Sequence, residues 1–165
     1  MAVEDFTTWT EDDADEILTI TATKVALLGT PVRWDGISKS ISETKITGDF
    51  VHRSEVTITT LDNRVAYEIE KLKQSEGEME IILIARASTA PSFSISLASE
   101  EAGDDTDTLT ATGQKYYITM QRVGTTTTAT IRTGSHDGEI VDALTITDSD
   151  VYEFDEIVCP ATHPG

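Results

Sequence analysis

Apolar and polar residues alternate with a period of two along most of this chain. The stretch from Tyr116 to Ile146, YYITMQRVGTTTTATIRTGSHDGEIVDALTI, runs through the alternation three times, with a glycine-bearing break after each of the first two runs. Tyr116, Ile118 and Met120 share one parity, and Tyr117, Thr119 and Gln121 share the other. After Val123-Gly124-Thr125, Ala129 and Ile131 take up the apolar side again. Side chains on a strand point alternately to its two faces, so this pattern predicts three antiparallel arms, each buried on one side and wet on the other. Gly134 and Gly138 suit the second turn.

The same pattern places further strands over Ile17–Thr21, Lys24–Leu28, Ile37–Ile41 and Asp49–Thr60. In the last of these Phe50, His52, Val56 and Ile58 face one way and Arg53, Glu55, Thr57 and Thr59 the other. Glu80–Ala87 (EIILIARA) is apolar almost throughout and predicts a central strand. Phe93, Ile95 and Leu97 alternate after Pro91, and Val151–Val158 closes the series. One region reads differently. Over residues 62–76 Val65, Ile69 and Leu72 fall at helical spacing, Asp62 can cap the start and Gly77 can stop the end, which predicts one short surface helix. Val65-Tyr67-Ile69 fits a strand as well. Roughly ten short strands and one helix predict an all-β, two-sheet antiparallel sandwich.

Composition narrows the picture. At 165 residues the expectation is a single domain, 1–165, with one core and short N- and C-terminal arms, MAVEDF and CPATHPG. Thirty acidic against 12 basic residues give a formal charge of -18, a field that repels phosphate backbones and anionic membrane surfaces. Neither nucleic acid nor membrane is an expected partner. Cys159 is the only cysteine, so no intrachain disulfide forms, and it reads as a small buried hydrophobe. The acidic N-terminus does not read as a signal peptide, and no run is long enough for a membrane span.

The order of the blocks DFTTWTE, ILTITATKVAL, GDFVHRSEVTIT, YYITMQRVGTTTTATIRTG and EIVDALTIT, over roughly residues 5–158, resembles the concanavalin A-like lectin/glucanase superfamily. The likeness is to the laminin-G-like form common in phage and bacterial surface proteins. The resemblance implies a jelly roll of two curved sheets and no particular activity, since function is grafted onto such folds site by site.

Chemistry is sparse. The superfamily's glycosidases carry paired acids spaced E-x-D-x-x-E on a strand. Those letters occur in Glu11-Asp12-Asp13-Ala14-Asp15-Glu16, but ahead of the first strand and without flanking apolar alternation, so the run reads as a solvated loop. Glu153 and Asp155 offer a same-face pair on the last strand, with a third acid at the wrong spacing. The acidic loop Ser99–Asp107 holds Asp104, Asp105 and Asp107, oxygen ligands that a calcium ion accepts; a plain charged loop is the favoured reading, with no cofactor. His52, His136 and His163 show no ligand spacing. Trp9 is expected to clip the terminal segment onto the core, whereas Trp34, beside Arg33 and Asp35, is the candidate aromatic platform. Arg53, Tyr117, Gln121 and Arg132 lie on outward parity and complete the candidate ligand-binding set.

The expected function is therefore that of a non-catalytic structural or interaction protein. The phage flavour of the resemblance makes it a virion component assembled in the host cytoplasm, a capsid decoration or tail auxiliary protein. Its expected partners are other virion proteins or copies of itself. The alternative is a carbohydrate-binding module for a surface polysaccharide, and a glycoside hydrolase ranks third.

Overall fold

The computed structural model describes residues 5–13, 16, 18–27, 36–59, 65–74, 80–87, 92–100, 102–105, 109, 112–149 and 151–164. Their strands are β1 (Thr10–Asp12), β2 (Leu18–Thr21), β3 (Lys24–Leu27), β4 (Gly36–Ser40), β5 (Ile46–Thr47), β6 (Phe50–Thr57), β7 (Val65–Lys73), β8 (Glu80–Ala87) and β9 (Phe93–Ser99). They continue with β10 (Gly103–Asp105), β11 (Lys115–Val123), β12 (Thr126–Thr133), β13 (Ile140–Thr147), β14 (Glu153–Phe154) and β15 (Glu156–Pro164). The helical content of the described residues is two 3-10 turns, Phe6–Thr8 and Ser42–Thr44.

The architecture is an all-β sandwich. A seven-stranded sheet runs β1-β4-β15-β7-β8-β9-β10 and a four-stranded sheet runs β13-β12-β11-β6; β14-β5 and β2-β3 form two small ribbons. Every pairing is antiparallel. The core lies between the two larger sheets. Leu72, Ile81, Leu83, Ala85, Phe93, Ile95 and Leu97 contribute from one side, and Tyr116, Ile118, Met120, Ala129, Ile131, Leu144 and Ile146 from the other. Phe93 meets Tyr116 edge to face across the gap, with ring centroids 5.9 Å apart. At roughly 25 cal/mol per Å² of apolar surface removed from water, this layer is the main source of stability.

The period-two reading holds strand by strand. Burial alternates along β6 and β11, and the inward parity is the one that carries Met120 and Ile131. In β8 Ile81, Ile82, Leu83 and Ala85 are all buried, as its continuous apolar run requires. The β11–β12 hairpin closes through Gly124 at φ 59, a backbone region that glycine enters without penalty.

The helix expected over 62–76 is not there. Residues 65–73 form β7, a central strand between β15 and β8; residues 62–64 and 75–76 lie outside the described set. The misleading three-residue step from Ile69 to Leu72 comes from a β-bulge. Glu68 pairs with Ile84 and Glu70 with Leu83, so Ile69 is an extra residue and the parity resets after it. A reset alternation mimics helical spacing over one step.

The C-terminal arm is also corrected. Cys159 to Pro164 continue β15, pairing with β7 as far as Pro164↔Val65. Pro160 sits where the register shifts between Val158 and Ala161, a position that does not ask it for a ladder N–H. The single last strand expected over 151–158 is broken at Asp155 into β14 and β15. Trp9 packs in the core as expected, edge-on to Phe6 with centroids 5.2 Å apart. No helix among the described residues is long and apolar enough to cross a membrane.

Candidate functional site

The register of the four-stranded sheet brings Arg53, Tyr117, Gln121 and Arg132 onto one face, the side turned away from the core. Tyr117 stands directly between Glu55 on β6 and Arg132 on β12, Thr119 between Arg53 and Thr130, and Gln121 between Val51 and Thr128. Directly opposed side chains in such a ladder sit about 4.5–5.5 Å apart at Cβ, so these rows are contiguous. Beyond β12 the rows end on Ile140, Ala143 and Thr145 of β13.

Tyr117 is the centre of the face. His136, from the β12–β13 turn, packs edge-on to its ring with centroids 5.3 Å apart, and its Nδ1 lies 3.4 Å from Thr119 Oγ1. Lys115 Nζ lies 5.8 Å from the ring centroid and 2.8 Å from Glu55 Oε2. The hydrogen bond and charge of Glu55 raise the Lys115 pKa, with a smaller contribution from Tyr117. The turn that delivers His136 needs Gly138, where a Cβ would run into the Thr133 carbonyl oxygen.

The charge of this face runs against that of the molecule. Along its outward positions the strands carry Arg53, Lys115 and Arg132 and a single acid, Glu55, in a chain with 30 acids and 12 bases. Lys115 offsets Glu55, which leaves the two arginines without an ion pair to a described residue. Val51, Val123 and Ile140 add exposed apolar surface at 56, 57 and 57%. The outer face of the seven-stranded sheet differs. It has an open depression of about 190 Å³ lined by Ser38, Glu68, Lys71, Lys73, Glu156 and Val158, among others. There each lysine meets an acid: Lys71 lies 3.0 Å from Glu68 and 3.5 Å from Glu80, and Lys73 lies 3.7 Å from Glu156.

The other expected site residues divide. Trp34, with Arg33 and Asp35, lies outside the described residues, as do Asp107 and the side chain of Asp105. The expected acidic loop is partly a strand, β10, and Asp104 Oδ2 accepts a 2.9 Å hydrogen bond from the Thr145 N–H, linking β10 to β13. That structural bond engages one oxygen of the one calcium-candidate carboxylate that can be placed. Among the described residues no group of three or more His, Cys, Asp or Glu is arranged to hold a metal. The acidic run is likewise not all loop: Glu11 and Asp12 belong to the exposed edge strand β1, while Asp13 Oδ2 accepts from Leu18 N at 3.0 Å. The same-face pair of Glu153 and Asp155 is lost with the strand break between them.

Two buried carboxylates and their basic partners escaped the sequence reading. The bulge in β7 turns Glu70 inward, where its side chain is 1% exposed and its Oε1 lies 3.1 Å from His52 Nε2 on β6. Among the described residues neither Glu70 oxygen nor the buried Ser54 hydroxyl has a well-aligned hydrogen-bond partner. Burial raises the Glu70 pKa, and His52 and then Ser54 partly oppose the rise. The Cys159 thiol donates to the Ile69 carbonyl at 3.0 Å; burial first, and then the Glu70 charge, push its pKa up, so it is no thiolate nucleophile. One inward row along the β6–β11 ladder, Arg122 Nη2 meets Asp148 Oδ1 at 3.0 Å, and Nη1 donates to Thr127 Oγ1 at 3.1 Å. The guanidinium lies 4.6 Å from the Tyr152 ring centroid. Parity alone carries a signal for Arg122, two residues after Met120 on the buried side.

No protein-family model matches this sequence, and a search of curated proteins returns no match.

Proposed function

We propose that this chain is a non-catalytic interaction protein that makes contact through the outer face of its four-stranded sheet. In its finer form the proposal is a virion component, a capsid decoration or tail auxiliary protein. The observation that carries the contact reading is the charge of that face: one acid, offset by Lys115, and two arginines around Tyr117 with no ion pair to a described residue, in a chain of net charge -18. Exposed Val51, Val123 and Ile140 supply the apolar area that a contact desolvates. Four strands about 4.8 Å apart and eight residues of about 3.3 Å give a patch of roughly 500 Å². That is below the roughly 800 Å² per partner of a standard stable interface, which suits a repeated contact on an array where many weak copies add. The resemblance to laminin-G-like domains of phage proteins supports the virion setting.

A second reading, a carbohydrate-binding surface, draws on Tyr117 flanked by Arg132 and Gln121, an aromatic ring beside hydrogen-bonding side chains. Two measurements separate the readings. Mass spectrometry of purified particles made from the source genome is expected to find the chain at stoichiometric copy number, with no signal for the isolated protein on a glycan array. Glycan retention that Tyr117→Ala removes without lowering Tm would transfer the conclusion to the second reading. Absence from particles removes the virion proposal.

A further inference from the structure

The end strands of a sheet expose a row of unpaired N–H and C=O groups, and native proteins blunt them with short strands, bulges or cover. The two larger sheets have four such edges. At the ends of the seven-stranded sheet β1 and β10 are three residues each. β13 is bulged against β12 between Ile131 and Arg132, and its Thr145 N–H is taken by Asp104. β6 has none of these devices. It is eight residues long, contains neither proline nor glycine, and keeps unbroken register with β11 from Phe50↔Arg122 to Thr57↔Lys115. No other described strand runs alongside it.

Its burial is also incomplete. The inward residues Phe50, His52, Ser54 and Val56 are only half-buried, whereas Tyr116, Ile118 and Met120 on neighbouring β11 are buried. Val51 on the outer side is 56% exposed.

We propose that β6 is a self-pairing edge: a second copy of this chain adds its own β6 antiparallel, joining two four-stranded sheets into one of eight across a two-fold axis. Charge selects the register. Opposed residues in an antiparallel ladder share a face, so the axis must pass through a residue position. With the axis at Ser54, Arg53 falls opposite Glu55 of the partner subunit, and the symmetry repeats the pair. An axis at Arg53 would set that arginine against its own copy, and an axis at Glu55 would do the same to the carboxylate; both arrangements oppose like charges. Lys115 holds Glu55 through Oε2 alone, and Oε1 takes no hydrogen bond from a described residue, which leaves a place for the incoming guanidinium. The charge of -18 on each copy does not forbid the approach, because at physiological ionic strength a Debye length of about 8 Å confines the effect to nearby groups. This pairing does not depend on the contact-face reading: it concerns the backbone edge, and purified protein alone tests it.

The experiment is sedimentation velocity on wild type, Arg53→Glu, Glu55→Arg and an equimolar mixture of the two variants, each first shown to be folded by circular dichroism. Wild type is expected at twice the chain mass of 18.0 kDa. Each variant alone is expected to dissociate at least tenfold more readily, since each opposes two like-charged pairs. The mixture is expected to recover the dimer, because every substituted side chain then meets an opposite charge. As a variant-free readout, amide exchange along β6 in wild type is expected to slow as protein concentration rises through the dimerisation range. A monomeric wild type at high micromolar concentration overturns the proposal. So does a dimer indifferent to both substitutions, a mixture that stays monomeric, or β6 exchange that does not change with concentration.

Discussion

The gap between the sheets contains two buried carboxylates, each beside a basic side chain, and they are built to different standards. Arg122 and Asp148 are held from several directions: a 3.0 Å ion pair, a 3.1 Å hydrogen bond to Thr127, and a Tyr152 ring 4.6 Å from the guanidinium. Among the described residues Glu70 has His52 at 3.1 Å and no well-aligned hydrogen bond. Both carboxylates are buried, at 0 and 1% side-chain exposure, so burial does not explain the difference. What differs is the number of groups that replace lost water. A guanidinium offers a rigid fork of donors and a flat face for an aromatic ring, and keeps its charge at any ordinary pH. An imidazole offers a single donor on that side and no such fork. The first pair is a fixed clamp. The second is a site where the protein can trade charge for a proton.

The largest expected effect comes from breaking the clamp. Asp148→Ala strands a buried guanidinium and is expected to cost about 3–5 kcal/mol in urea unfolding, because an unpaired buried charge loses more than the pair contributed. Adding Arg122→Met should recover part of that loss. If Asp148→Ala costs no more than a surface substitution, the clamp is not what the geometry indicates.

His52→Leu comes next, at about 1–2 kcal/mol, the range for leaving a buried polar group without its partner. The loss is read from urea unfolding at pH 7, beside a surface substitution as control. A loss no larger than that control would show that Glu70 does not depend on the imidazole.

Glu70→Gln probes the same group through linkage. Burial lifts the native carboxyl above its unfolded value of 4.5. Between the unfolded and native values the folded state therefore holds a proton that the unfolded chain has released. This group's contribution to stability is greatest below pH 4.5 and is lost as pH rises through the native value. The variant should lack that decline, so its stability relative to wild type should climb from pH 5 to pH 8. Parallel stability curves would show that Glu70 does not titrate in this range. At the small end, Glu153→Gln should leave Tm unchanged within error, because its bridge to Lys45 is half exposed and screened.

Much of the sandwich was legible in the residues. The strands β6, β8, β9, β11, β12 and β13 follow from alternation or from a continuous apolar run, and so do their inward faces. The placement of Arg53, Tyr117, Gln121 and Arg132 on one outward face followed from parity. The failures share a cause. At β7 one extra residue reset the alternation and imitated a helix, and at β15 the segment that looked like a loose arm was recruited as a ladder between β4 and β7. A bulge is a property of two strands in register, and the code for it on one strand is a parity slip that a short helix explains equally well.

What the sequence by itself determined is local: which residues of each strand seek the core, and where glycines permit the chain to turn. Those follow from side-chain direction along an extended backbone, which each segment carries within itself. The tertiary structure alone decided the order of strands in the sheets, the neighbours of Tyr117, the meeting of Glu70 with His52, and the unblunted edge at β6. Each of these joins residues far apart in the chain, and only closure of the sandwich sets the distance between them.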